Sequence, residues 1–314
     1  MEQSESPKRP SLTIVVPVYN GEAALAELVT RLGAILPGLA EKFEVLLVND
    51  GSRDRSWACI SELARKHRYV RGIDLMRNYG QHNALLAGVR AARGDVIVTM
   101  DDDLQHPPEE IARLLAALTD EWDVIYGTPK DLPHSLGRNI ASWLTKLVLQ
   151  NVMGASTARR VDAFRAFRTE LRTGFARYGG PFISLDVLLT WSTARFSSVT
   201  VEYQPRRQGQ SNYTFLKLVT HAVNMMTGFS TIPLQIASVV GFAFTAFGLG
   251  VLAFVVVRSI TEGGAPAGFP FLASIVAIFS GAQLFALGII GEYLARLHFR
   301  MMERPPYVVR RELP

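Results

Sequence analysis

Val96-Ile97-Val98-Thr99-Met100-Asp101-Asp102-Asp103-Leu104-Gln105-His106-Pro107-Pro108 is the stretch on which the fold turns. Its apolar half, 96–100, reads as a buried strand, and the carboxylates that follow are therefore held at a strand end. The double proline then opens a helix, where proline is tolerated because first-turn N–H groups have no intrahelical acceptor. Outward from it the same alternation repeats. Segments 12–16, 43–48, 70–75 and 122–126 also read as strands. Between them Leu25, Leu28, Val29, Leu32 and Leu36 recur at helical spacing, as do Trp57, Ile60 and Leu63. Ala84, Ala87, Gly88 and Ala91 give a third helix a small-residue face for close packing. Strands separated by such helices imply right-handed crossovers, so the fold expected is α/β with a Rossmann-like, mainly parallel sheet.

In sheets of this kind ligands bind outside the carboxyl ends of the strands. Those ends carry Pro17-Val18-Tyr19-Asn20, Asn49-Asp50-Gly51-Ser52, Arg77-Asn78-Tyr79-Gly80 and Asp101-Asp102-Asp103, which the topology should gather on one edge. Consecutive carboxylates raise one another's pKa, and a divalent cation relieves that repulsion. Oxygen-only ligands suit Mg²⁺ or Mn²⁺. Strand alternation puts Asp101 and Asp103 on one side and Asp102 on the other, although a bare Asp triplet equally fits a solvated loop capping a helix. Asp50 can accept hydrogen bonds from a ribose or base edge, or can serve as a turn residue beside Gly51. Arg77, Arg165, Arg168 and Arg206 offer forks shaped for phosphate, and each alone also fits a surface ion pair. His82 and His106 are isolated, and no Ser/His/Asp or Cys/His arrangement is evident.

Composition divides the 314 residues. Charged residues, 19% overall, nearly vanish from 232 to 290, where Arg258 and Glu262 interrupt two apolar stretches, 232–257 and 269–290. Each exceeds the roughly 20 residues needed to cross a bilayer. Segment 213–230 spaces Phe215, Leu216, Val219, Val223, Met226 and Phe229 along one helical face, as an interfacial or a core helix would. The net charge of +5 owes much to Arg296, Arg300, Arg304, Arg310 and Arg311. Such flanks point to membrane orientation rather than nucleic-acid binding, with both termini cytoplasmic. Cys59, the single cysteine, excludes an internal disulfide and a cysteine metal cluster. The first ten residues lack the apolar core of a signal peptide and read as a flexible N-terminus.

VVPVYNGE, VNDGSRD, RNYGQHNALLAG, DDDLQHPPEEI, GQSNYTFLKL and GIIGEYLARL, in this order, resemble the bacterial polyprenyl-phosphate glycosyltransferases of glycosyltransferase family 2. These include dolichol-phosphate mannose synthases, O-antigen glucosyl transferases and undecaprenyl-phosphate formamido-arabinose transferases. The resemblance covers nearly the whole chain. It implies a GT-A catalytic domain at 11–212, an interface helix at 213–230, a two-helix transmembrane hairpin at 231–291 and a basic cytoplasmic tail at 292–314. It implies an inner-membrane enzyme that transfers a sugar, with inversion, from a nucleotide-sugar to polyprenyl phosphate, giving a lipid-linked sugar for envelope glycan modification. UDP is preferred to GDP as the carrier, and a homo-oligomer is compatible with the family. By position, Asp101, Asp103 and Gln105 are the expected metal site. Pro17, Tyr19, Glu22, Asp50, Arg77, Asp102 and Ser211 are expected around the donor, and Arg165 and Arg206 at the phosphates. The chain departs from the family at Asn49, where an acid is usual, at Asn212, where lysine is common, and at Arg159, where an aspartate often stands. A processive polysaccharide synthase and an inactive nucleotide-sugar-binding scaffold are the competing readings. The missing Gln-x-x-Arg-Trp motif argues against the first and the intact acidic cluster against the second.

Overall fold

The computed structural model describes residues 9–129, 161–180, 183–204, 232–262 and 269–314. Among the described residues eight strands form one sheet: β1 (Leu12–Val18), β2 (Phe43–Asn49), β3 (Val70–Leu75), β4 (Val96–Thr99), β5 (Val124–Pro129), β6 (Arg165–Arg168), β7 (Phe196–Val201) and β8 (Val309–Leu313), in the order β7-β5-β6-β4-β1-β2-β3-β8. The helices between them are α1 (Glu22–Leu39), α2 (Ser56–Lys66), α3 (Gln81–Ala91), α4 (Ile111–Ala117) and α5 (Leu185–Thr190). β1 to β4 are parallel, β5 pairs parallel with β7, and only β6 and β8 run against their neighbours. The expected α/β sheet is thus present, mainly parallel.

Both faces of the sheet are buried, which is why its central strands read as continuous apolar runs. Ile14, Val16, Val18, Val45 and Leu47 pack on one side with the apolar stripe of α1. Val15, Leu46, Val48 and Ile73 pack on the other with α3 and α5. Gly88 lets α3 lie close, since a Cβ there would meet Val15 and Val48. The chain runs β1-β2-β3 outward and then returns to place β4 on the other flank of β1. The switch point therefore lies between the carboxyl ends of β1 and β4.

Three elements depart from the sequence reading. β6, α5 and β8 were not expected. Segment 292–314, expected as a basic tail, first continues a long helix and then adds β8 to the margin of β3. Met76 donates its N–H to Val308 O (2.9 Å), and the Arg310 guanidinium donates to Met76 O (2.8 Å). The edge of β3 is covered by the end of the chain.

The long helices are α6 (Ile232–Glu262) and α7 (Phe269–Met301). Both are apolar and long enough to cross a membrane, and the apolar window of each that could span it has no buried residue, burial in α6 being confined to its start at Pro233 and Ala237. A soluble core helix would be covered. They meet where the Phe244 and Phe279 rings lie edge to face, with centroids 5.9 Å apart, beside Gly248. The interface segment expected at 213–230 lies outside the described residues.

Gly88→Ala gains helix propensity worth about 1 kcal/mol but overpacks Val15. Its expected net effect is a loss of about 1–3 kcal/mol, read as a lower denaturant midpoint at unchanged slope.

Candidate active site

The loops after β1 to β4 form one edge, stitched by hydrogen bonds. Asn20 N–H donates to Ser52 Oγ (3.0 Å), and Asn20 Oδ1 accepts from Arg53 N–H (2.8 Å). Gly21 N–H donates to Ser56 Oγ (3.0 Å). The Asp50 carboxylate accepts from Tyr79 N–H (2.7 Å) and Gly80 N–H (2.8 Å). Gln81 Nε2 donates to Asp101 Oδ1 (2.7 Å) and completes the chain of contacts from β1 to β4. The polar clusters expected to converge do converge.

Gly51 is required on two grounds. Its φ is +64°, and a Cβ there would collide with the backbone of Arg77 and Asn78. The β2 loop can therefore pass under the β3 loop only with glycine at that point. Asp50 is 2% exposed, and its carboxylate is directed at backbone N–H groups of the neighbouring loop. Burial pushes its pKa up, against the pull of those two donors. Asn49, the departure from the family, donates to Asp74 Oδ1 (2.7 Å) on β3 and accepts from Ser52 N–H (3.3 Å). The acid that position 49 lacks is present one strand away, at Asp74.

The acidic triplet does not continue the strand. β4 ends at Thr99, and Asp101–Asp103 lie in a turn completed by Leu104 at φ 59°. The alternation expected to separate Asp102 from its neighbours is thus replaced by turn geometry. Asp102 packs against Gly21, where a Cβ would meet its carboxylate. Asp103 Oδ1 accepts from Gln105 N–H (3.1 Å), and Gln105 O accepts from Gln204 N–H (2.8 Å). Arg31 of α1 holds the following turn through a bidentate pair to Glu109 (3.1 and 2.5 Å). Among the described residues no three His, Cys, Asp or Glu side chains form a metal-binding group. The oxygen donors present instead suit a hard cation that takes most of its shell from substrate phosphates and water, as Mg²⁺ does.

Pro17 is buried in β1, whereas Tyr19 at the strand end is 44% exposed. Glu22 Oε2 accepts from Arg55 N–H (2.8 Å), tying α1 to the start of α2. Arg77 is exposed and stacks over the Tyr79 ring at 4.6 Å. Arg206 and Ser211 lie outside the described residues. Arg168 sits at the far end of β6, donating to Thr119 O (3.0 Å) and paired with Asp120 (3.3 Å).

Arg165 occupies a different position from the phosphate-facing one expected. It is 1% exposed, ion-paired to Asp186, and donates to Thr99 Oγ1 (3.1 Å). Tyr126 O–H also donates to Asp186 (3.0 Å). Burial alone would lower the Arg165 pKa, but Asp186, with smaller contributions from Tyr126, Asp162 and Asp101, holds it above the ordinary value. A permanent cation is thereby buried behind the acidic edge. Asp186 and Gln81 were missed by sequence reasoning; Gln81 lay within the quoted RNYGQHNALLAG, while Asp186 carried no local signal. His106 is also buried, stacked on Phe164 at 5.0 Å, with Nε2 3.5 Å from Asp162. Burial lowers the His106 pKa and raises that of Asp162.

Known proteins resemble this chain in sequence and fold. The glycosyl transferase family 2 model matches residues 13–173. The undecaprenyl-phosphate 4-deoxy-4-formamido-L-arabinose transferase of Shewanella sediminis is 34% identical over 302 residues, 95% of this chain and 91% of its own. Its namesake in Yersinia enterocolitica is 32% identical over 98% of this chain and 95% of its own. Glucosyl-3-phosphoglycerate synthase of Mycobacterium tuberculosis, solved with Mn²⁺, UDP and glucosyl-3-phosphoglycerate, superposes with TM-score 0.53 at 16% identity, over 69% of this chain and 78% of that one. The fold is the GT-A fold of nucleotide-sugar-dependent transferases. The chain belongs to glycosyl transferase family 2 and is a glycosyltransferase.

Removing one partner of a buried ion pair strands the other, at a cost of about 3–5 kcal/mol. Asp186→Ala is expected to lose that much stability in equilibrium unfolding, because Arg165 cannot reach water; an unchanged midpoint would contradict the network.

Proposed function

We propose that this enzyme transfers a sugar from a UDP-sugar to undecaprenyl or a related polyprenyl phosphate, with inversion and with help from Mg²⁺ or Mn²⁺. The observation that carries the reading is the stitched edge, in which hydrogen bonds join the loops that carry Tyr19, Asp50, Arg77 and Asp101 to Asp103 at the switch point of a family 2 sheet. The full-length relatives bear undecaprenyl-phosphate transferase names, and the solved structural neighbour holds Mn²⁺ with UDP.

In this reading Tyr19 offers its ring to the base, and Asp50 acts by holding loop 77–80 in shape for the ribose side. Arg77, with Arg206 and Ser211, faces the phosphates. Asp101 and Asp103, with Gln105, would hold the divalent cation, and Asp102 keeps the β1 loop against them. When bound, that cation compensates the charge on the departing nucleoside diphosphate. Arg165 lends positive charge from behind Asp101, which Gln81 holds. The acceptor phosphate is largely ionised at neutral pH, its second pKa being about 6. Its oxygen can therefore form the bond to the anomeric carbon while the bond to the diphosphate breaks, and no base is required. Two anions held together in one site gain chiefly by proximity and charge compensation.

In this reading α6 and α7 anchor the chemistry at a membrane. α6 and α7 have 31 and 33 residues, about 47 and 50 Å at helical rise, against a hydrocarbon core of about 30 Å. The surplus of α7 carries Glu292 and Arg296, paired at 2.7 Å. From Met301 to Val309 the chain can span only about 27 Å, too little to recross the bilayer before β8 joins the sheet. In this reading the catalytic domain and C-terminus share one side, and the flanking arginines favour the cytoplasm for it.

Asp103→Asn is expected to abolish transfer of labelled sugar to phosphorylated polyprenol while leaving the fold intact. UDP-linked 4-deoxy-4-formamido-L-arabinose is the first donor to test. Near-normal turnover of the variant at saturating Mg²⁺ or Mn²⁺ would sink the assignment of Asp103, and no lipid-linked product with any donor would favour a scaffold.

A further inference from the structure

The residue that follows β3 is held by the other end of the chain through both of its backbone groups. Met76 N–H donates to Val308 O (2.9 Å), and Met76 O accepts from Arg310 Nη2 (2.8 Å). Loop 77–80 begins at the next residue, and its far end is held by Asp50 through Tyr79 N–H and Gly80 N–H. Arg77 lies between these two anchors, one from β8 and one from β2.

The register of β8 explains how Arg310 comes to face this way. Gly72, Ile73 and Asp74 pair with Leu313, Glu312 and Arg311, but Leu75 pairs with Val309. Arg310 is therefore the extra residue of a β-bulge, a device that re-aims a side chain. Besides its bond to Met76 O, the guanidinium places Nη1 3.9 Å from Asp74 Oδ2. Asp74 is 3% exposed. A buried carboxylate is costly unless hydrogen bonds and an opposite charge meet it. Asn49 supplies the hydrogen bond (2.7 Å) and Arg310 the charge. Asn49 Oδ1 accepts in turn from Ser52 N–H (3.3 Å), and Ser52 Oγ accepts from the N–H of Asn20, the residue after Tyr19 (3.0 Å). One guanidinium thus reaches the β3 loop directly, and the β2 and β1 loops through Asp74 and Asn49.

We propose that Arg310 is a positioning residue for the donor edge. From the C-terminal strand it sets the loops that carry Arg77 and Tyr19, and so raises affinity for the nucleoside diphosphate part of the donor. This role rests on the donor edge proposed above. Arg310 is itself exposed, so its replacement removes these contacts without opening a cavity in the core.

The test uses the full-length protein in nanodiscs, with UDP and Mn²⁺ as the probe for affinity and amide hydrogen exchange as the probe for the loops. Arg310→Ala is expected to weaken UDP binding about fivefold or more, the loss of one charge-assisted contact. Exchange is expected to quicken at 76–80 and 49–53 and to stay unchanged in β1. Arg311→Ala, which removes the same charge from the next, exposed residue of β8, is expected to leave both readouts at their natural values. Arg310→Lys restores the charge without the fork and is expected to fall between. If Arg310→Ala does not fold, that intermediate shift decides. Unchanged exchange at 76–80, quickened exchange with unchanged UDP affinity, or equal effects from Arg310→Ala and Arg311→Ala would each overturn the proposal. Absence of UDP binding by the natural protein would instead sink the donor reading, and exchange alone would then report whether Arg310 holds the loops.

Discussion

The Asp50 carboxylate, buried at the end of β2 and bonded to two backbone N–H groups of the β3 loop, is the contact on which the active edge depends. Two adjacent parallel strands end in loops that would otherwise move independently. One carboxylate that accepts from both Tyr79 and Gly80 fixes where α3 begins, and Gln81 at that first turn then reaches Asp101. Burying an acid costs free energy, which is visible in its raised pKa, and hydrogen bonds to the charged form offset part of that cost. Gly51 makes the arrangement sterically possible.

The same logic recurs deeper in the domain. Arg165 and Asp186 form a buried pair walled by Tyr126 and Thr99. Such pairs add little net stability but cannot tolerate the loss of one member. Here the pair joins β6 to α5 beneath the acidic turn, so a fixed positive charge stands behind groups that must carry negative charge. Electrostatic support of that kind acts without reorganisation because the cation cannot leave.

The sheet centre was legible in the sequence because its strands are buried on both faces and its helices carry unbroken apolar stripes. β1, β2 and β3 begin where the apolar runs begin. The strand ends were legible too, since parallel topology alone gathers Asp50, Arg77 and Asp101. β6 was not: RAFR is short, half cationic, and takes its place only through long-range pairing with β4 and β5. β8 was missed for the same reason, because VRREL reads as a charged tail until it finds the edge of β3. The direction of single side chains also escaped the sequence. Strand alternation failed at Asp102 where the chain turned, and Arg165 was drawn inward by Asp186, a partner 21 residues away.

The docking of β8 has a consequence for biosynthesis. Arg310 and Met76, in contact in the finished protein, are separated by 234 residues. The exposed margin of β3 is therefore synthesised long before the strand that covers it, and an uncovered edge is a template for wrong pairing. Closure of such distant ends is slow in entropic terms, since the loop must form before the contact stabilises it. In this chain both long apolar helices lie inside that loop. The sheet is finished only after they have been made, so the edge next to Met76 gains this support later than the strands that form it.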